Sequence, residues 1–413
     1  MNESKLRFKE FSGEVKYAQT NSFFEHIRNG FVGTATPYYT DDTGVKYLQS
    51  NNIKNGKISG KNFVYVTREF HNKYKKNELK LNDMLMVQSG VFTGECAVVN
   101  NEYVGTNCHA LIIMTPKATI NTHYLNYYLH SYLGRKELNK YITGQTIQHI
   151  LASDMKKVIF PNVKLEEQKK IADFFSLLDA KIQFQKQKID LLQEQKKGYM
   201  QKIFKQEIRF KDDDGGEYTE WNTYTLNELG ETYTGLSGKT KDDFGYGNHK
   251  FVTYVNVFNN LFAKENGVEK VDIGDHEKQA LVEKGDIFFT TSSETPLEVG
   301  MASIWKHAAK KLHLNSFCFG YRVTNTNCLP TFLAITLRSQ YMRKKIVFLA
   351  QGSTRYNISK TELMKESVFL PAIGEQKKII DFYLKLSSKV EFEQQKLEAL
   401  QEQKKGFMQQ MFI

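Results

Sequence analysis

The stretch nearest to a recognisable chemical motif is GLSGKT, residues 235–240, where Lys239 and Thr240 stand as the lysine and hydroxyl of a phosphate-cradling loop would. Such a loop needs another glycine five positions before the second one, and Tyr233 occupies that place. Lys239 and Thr240 therefore read as a polar loop that touches phosphate at most. The sequence has no HExxH, no GxSxG and no His/Cys/carboxylate cluster with metal-ligand spacing. No glycine-rich turn opens a βαβ unit, and without a Pro-Pro pair the aminomethyltransferase motif (Asn/Asp-Pro-Pro-Tyr/Phe) is absent. Asp154-Met155-Lys156 and Glu14-Val15-Lys16 lack the preceding Pro-Asp of a nuclease. His109 and His149 read as structural or surface residues. These residues point to a chain that binds rather than one that catalyses.

Composition sets the frame. A chain of 413 residues with 40% hydrophobic content has room for two or more cored domains. A formal charge of +11 is consistent with an anionic partner. Cys96, Cys108, Cys318 and Cys328 show no CxxC spacing, as expected of reduced thiols in a cytoplasmic protein. The polar opening MNESKLRFKE is unlike a signal peptide, and no apolar run reaches the roughly 18 residues of a membrane span.

The elements that must position any binding residue are written twice. EQKKIADFFSLLDAKIQFQKQKIDLLQEQKKGYMQKIF (167–204) returns as EQKKIIDFYLKLSSKVEFEQQKLEALQEQKKGFMQQMF (375–412), ungapped and with more than half the positions identical. In the first copy Ile171, Phe175, Leu178, Ile182, Ile189, Leu192, Tyr199 and Ile203 form a heptad seam interrupted by Gln185 and Lys196. Glu393 and Lys404 interrupt the second seam in the same slots. Parallel pairing in register would set Lys196 against Lys404 in an apolar seam, at a cost in desolvation. Antiparallel pairing sets each lysine against an apolar layer instead, free to snorkel outward. Two long antiparallel helices are expected, of about 57 Å each at 1.5 Å per residue. Gly198 and Gly406 read as C-caps of the main helices.

The repeat extends upstream at the same offset of 208 residues, that from Gln168 to Gln376. THYLNYYLHSYLGRKELNKY and PTFLAITLRSQYMRKKIVFL each read as one amphipathic helix, with Arg135-Lys136 aligned to Arg343-Lys344 as possible surface residues. GQTIQHI and GSTRYNI follow as turns, then strands ending in VIFP (158–161) and VFLP (368–371). LNDMLMVQSGVFTGECAVV (81–99) resembles KGDIFFTTSSETPLEVGMASI (284–304), an Asp-led strand, a polar loop and a return strand. The expected fold is mixed α/β: a globular domain over 1–162, a long helix over 163–206, a second domain over 207–371 and a second helix over 372–413, related by a pseudo-two-fold axis. Framework kept and loops varied suggest two modules that bind different things in the same way.

This pattern, carried by EQKKI, QEQKKG and the GQTIQHI/GSTRYNI turns, resembles the specificity subunit of type I restriction-modification systems across essentially the whole chain. The first module lacks the tryptophan often found near such a module's start; Trp221 sits there in the second. The resemblance implies a non-catalytic subunit whose two target-recognition domains read the halves of a split, asymmetric double-stranded DNA site. It implies two modification subunits that use S-adenosylmethionine to methylate adenine. It also implies restriction subunits driven by ATP with magnesium. A protein-only coiled-coil adaptor is the alternative.

On that reading, base edges call for forked or amide groups at loop tips and phosphates for Lys, Arg and hydroxyls. The candidates in the first domain are Lys46, Arg68, Gln88, Ser89, Thr93, Gln145, Thr146 and Gln148. In the second they are Lys239, Lys241, Thr291, Ser292, Ser293, Thr354 and Arg355. Phe184 and Phe392, apolar and off the seam in both copies, are candidates for docking the modification subunits; packing on the chain's own domains is the alternative.

Overall fold

The computed structural model describes residues 6–60, 62–274 and 276–412. The first five residues of the opening MNESKLRFKE lie outside them. The chain divides into two compact units, Met1–Gln187 with Gln394–Ile413, and Lys188–Glu393. The two long helices are Leu165–Phe204 and Ile373–Met411, and each gives one part of its length to either unit.

Within each unit the helix segments run antiparallel. In the first unit Phe174 meets Phe407 edge-on at 5.1 Å and Asp179 pairs with Lys404 at 2.5 Å. In the second, Lys188 pairs with Glu393 at 2.8 Å, Lys196 with Ser387 at 2.6 Å, and Tyr199 meets Phe382 at 5.5 Å. Partner numbers fall along one helix as they rise along the other. The seam lysines do not snorkel into water. Lys196 lies over the Tyr383 ring and Lys404 over the Tyr127 ring, at 3.9 and 5.3 Å from the centroids.

Gly198 and Gly406 are not caps. The helices run through both, and a Cβ at either would meet nothing within 4 Å. A glycine inside a long, well-paired helix costs only about 1 kcal/mol against alanine, too little to end it.

The repeated Glu-Gln pair explains why EQKKI opens each helix. Glu167 is buried and forms a two-pronged ion pair with Arg7, 2.6 and 2.8 Å, while Glu375 does the same with Arg209, 3.2 and 2.7 Å. Gln168 accepts from Asn121 N and donates to Val163 O; Gln376 accepts from Leu329 N and donates to Asn327 O and Pro371 O. Each buried amide thus ties the helix start to the loop that opens the helical pair preceding it in the chain.

That helical pair corrects an expectation. The segment expected as one helix is two in each unit: Thr122–His130 and Tyr132–Asn139, then Pro330–Leu337 and Gln340–Phe348. Ser131 and its counterpart Ser339 sit at the break, and each hydroxyl caps the second helix, accepting from Gly134 N and Met342 N.

Each unit packs these helices on an antiparallel four-stranded sheet. In the first unit the order is Phe24–Asn29, Leu111–Pro116, Met84–Val87, Cys96–Val98. In the second it is Gly230–Thr234, Cys318–Val323, Ile287–Thr290, Ala302–Ile304. The Asp before each central strand, Asp83 or Asp286, is buried against Arg28 or Arg322. A second, mixed sheet lies in each unit, built on Val45–Leu48 in one and Phe244–Val252 in the other.

The strand Lys16–Gln19 pairs with Asn162 to Ile159 as Asn222–Thr225 pairs with Leu370 to Ser367. The shared register makes Val15 the counterpart of Trp221. Trp221 Nε1 donates to Glu375 Oε2, whereas Val15 borders a small void of about 20 Å³ beside Tyr124, Tyr128 and Phe412.

Candidate nucleic-acid interface

Eleven of the fifteen candidate DNA-contact residues gather where a central strand of each sheet turns over. In the first unit the loop 88–94 links Met84–Val87 to Cys96–Val98, and the turn 143–149 lies against it. Three bonds fasten them, Ile150 N to Gln88 O, Gly90 N to Gln148 O and Thr93 Oγ1 to Gln148 O at 2.9–3.0 Å, and Thr93 Oγ1 also bonds Gly90 O within the loop at 2.7 Å. In the second unit Ser292–Ser293 pairs with Tyr356–Ile358, and Ile358 N donates to Thr291 O. Gly144 and Gly352 start the two turns at φ +99° and +128°; a Cβ there would lie 2.1 Å from Ile147 O or 2.2 Å from Arg355 O. The turns are therefore built alike and clamped to the neighbouring hairpin alike.

The aligned arginines serve this construction. Arg135 Nη1 donates to Gly94 O at 2.9 Å and Nη2 pairs with Glu95. Arg343 donates to Gly300, Leu297 and Val299 carbonyls at 2.7–2.9 Å. Both are half-buried and hold the hairpin loop from behind, while Lys136 and Lys344 are exposed.

Gln88, Ser89, Thr93, Gln145, Thr146 and Gln148 thus come together in one unit, and Thr291, Ser292, Ser293, Thr354 and Arg355 in the other. Their exposure differs. Ser89, Gln145, Thr146, Gln148, Thr354 and Arg355 are exposed. Thr93, Ser292 and Ser293 are buried, and the Thr93 hydroxyl is spent on the clamp, so their role is to shape the loops. Ser293 Oγ donates to Glu298, and Thr291 Oγ1 to Phe317 O. Gln88 is half-buried, its Oε1 shielded and without a hydrogen-bond partner among the described residues.

The other basic candidates, Lys46, Arg68, Lys239 and Lys241, lie outside these loops. Lys239 is engaged within the chain: its side chain is only 5% exposed, and its ammonium lies 2.6 Å from Glu277 and 4.0 Å from Asp243. A cation already held by Glu277 is less available to phosphate. Thr240 caps the short turn Lys241–Asp243, on which Lys241 is exposed. Lys46 pairs with Glu102 and lies over the Phe63 and Tyr103 rings. Arg68 is exposed at the first position of the helix Arg68–Lys73.

Sequence reasoning passed over two exposed apolar residues, Ile147 (65% exposed) on the first unit's turn and Phe317 (55%) just before the strand Cys318–Val323. The available signal was an apolar residue inside a polar turn. Phe317 and Arg355 border a cleft of about 480 Å³ with Tyr254, Phe258, Ser292 and Glu294. Among the described residues no group of three or more His, Cys, Asp or Glu could hold a metal, and no helix is long and apolar enough to cross a membrane. The four cysteines are buried and free; burial pushes the Cys108 and Cys328 thiols up to about 12.

Residues 14–194 and 218–402 both match the type I restriction modification DNA specificity domain. The chain belongs to that family. It carries two DNA specificity domains, and the family is one of recognition rather than catalysis. The chain is similar to the type I restriction enzyme MjaVIII specificity subunit of Methanocaldococcus jannaschii, 25% identical over 88% of this chain and 84% of that one. Two solved structures share the fold at 14% identity. One is the S subunit of a type I restriction-modification system from M. genitalium, with TM-score 0.56 and 99% of both chains covered. The other comes from work on complex assembly and conformational transition of a type I system, with TM-score 0.62 and 96% and 97% covered. Two specificity domains in one chain agree with the paired units and their matched loops.

Proposed function

We propose that this chain is the DNA-reading subunit of a type I restriction-modification complex. Each unit reads one half of a split double-stranded site through its paired loops. The observation that carries the reading is the matched construction of those loops, clamped to the same hairpin position in both units but tipped with different side chains. Different tips on one frame imply unlike half-sites, hence an asymmetric target. Residues 1–162 and 207–371 act as the two target-recognition domains, with the helical stretches 163–206 and 372–413 as spacers between the half-sites. Ser89, Gln145, Thr146, Gln148, Thr354 and Arg355 are the DNA-facing candidates, with exposed Lys241 and Arg68 serving phosphate.

Two modification subunits that use S-adenosylmethionine, and restriction subunits that use ATP and magnesium, complete the complex. Phe184 and Phe392, 70% and 55% exposed on the long helices, dock the modification subunits. Phe184→Ala together with Phe392→Ala should then block assembly, and intact assembly would remove that role.

The test of the main reading is sequencing of methylated adenines in a host expressing the chain with its modification subunit, against a host with that subunit alone. The expected result is a new motif of two unlike half-sites methylated on opposite strands and lost without the chain. Assembly without chain-dependent methylation would refute it.

A further inference from the structure

Ile147 and Arg355 occupy the same place in the two clamped turns, three residues after Gly144 and Gly352 and one after Thr146 and Thr354. Both are exposed. Resting on the DNA reading above, we infer that this position reads a base edge in each unit, with opposite chemistry. Ile147 takes a thymine methyl, and Arg355 takes the O6/N7 edge of guanine.

Three observations carry this. First, the position is rigid on both sides. The carbonyls of Ile147 and Arg355 fold back toward the turn glycine, and the next residues are bonded to the hairpin, Gln148 O to Gly90 N and Tyr356 to Ser293. A side chain that selects a base must be held in place by its support.

Second, an isoleucine has nothing to offer a phosphate. The apolar group that a base pair presents in the major groove is the thymine methyl. Val91, 95% exposed, lies on the loop clamped to the Ile147 turn and adds a second apolar tip there.

Third, Arg355 has an aromatic neighbour. Its guanidinium lies 6.0 Å from the Phe317 ring centroid, on the rim of the cleft that also holds Glu294. An aromatic ring on which a planar fork can stack reduces the ordering cost of a two-pronged contact.

The experiment compares Ile147→Arg, Arg355→Gln and Arg355→Ile in the full chain, each with the modification subunit, by sequencing methylated adenines. The assembled complexes are then titrated against duplexes that differ at one base pair. The wild-type motif should hold a T·A pair in the first unit's half and a G·C pair in the second's. Ile147→Arg should change that T·A preference to G·C. Arg355→Gln should lose about 10- to 100-fold of discrimination for guanine at its single position, and Arg355→Ile should favour T·A there. The untouched half-site in each motif reports that folding and assembly are intact.

An unchanged first half-site in Ile147→Arg overturns the inference. So does uniform weakening on all duplexes by Arg355→Gln with a salt slope reduced by about one, which is the mark of a phosphate contact. A wild-type complex with no chain-dependent motif overturns the DNA reading itself, and is distinguished because it appears before any substitution is made.

Discussion

The ammonium of Lys196 stands 3.9 Å from the centroid of the Tyr383 ring and 2.6 Å from Ser387 Oγ. A seam position that a heptad would fill with an apolar side chain holds a cation against an aromatic face. Partly desolvated contacts of this kind contribute about 0.5–2 kcal/mol. A double-mutant cycle of Lys196→Met and Tyr383→Leu, followed by urea unfolding, should give a coupling in that range. Additivity within about 0.3 kcal/mol would show that the lysine is only tolerated there.

Gly198 and Gly406 lie inside continuous helices with open space where a Cβ would go. Gly198→Ala and Gly406→Ala should therefore each stabilise the chain by about 0.5–1 kcal/mol, seen as a rise in the urea midpoint at constant slope. Had either been a cap or a close contact, alanine would destabilise. If the proposed complex seats a partner backbone on these glycines, the variants will be more stable alone yet impaired in assembly.

Arg343 closes three carbonyls of the hairpin loop, Leu297, Val299 and Gly300, with one side chain. Arg343→Ala leaves these acceptors without a donor and should cost about 1–3 kcal/mol. Arg343→Lys cannot reproduce a fork and should recover little of the loss. Faster hydrogen exchange confined to 291–300 and 352–358, the two segments that meet at this clamp, would be its local signature. Exchange rates that rise evenly through the second unit would mean that Arg343 holds the core rather than the loop.

The long helices and their antiparallel pairing were legible because a heptad seam and two lysines in matching slots leave few arrangements. The break at Ser131 and Ser339 was not, because apolar spacing continues across it and only the capping hydroxyl marks the new start. The meeting of the two polar turns in each unit was partly legible from their repetition. Their exposure was not. Lys239 looked like a surface cation because its neutralising partner Glu277 is 38 residues away. Thr93, Ser292 and Ser293 are of the same residue types as the exposed candidates, and the clamp bonds of Thr93 and the ladder that Ser292 and Ser293 join accompany their removal from solvent. Ile147 aligned with Arg355 all along, but an apolar side chain in a framework alignment reads as core until its exposure is known.

Glu95 makes the first unit's loop support sensitive to acid. His130, the Arg135 guanidinium and the Asn55 N–H hold its carboxyl at about 2 against an ordinary 4.5, with burial opposing them. Burial works against the His130 cation, but Cys96, Glu95 and Asn126 O outweigh it and bring its pKa to about 10. A depressed carboxylate stabilises fully above its unfolded value, so this contribution is complete above about 4.5 and is lost as the pH falls toward 2. The raised histidine stabilises fully below 6.5, and its contribution fades as the pH rises through about 10. Between those limits Glu95→Gln should cost about 1–2 kcal/mol, discounted for the partial exposure of the carboxylate. Urea unfolding across pH should therefore show wild type and Glu95→Gln converging at acid pH. A constant gap at all pH values would assign the loss to shape rather than charge.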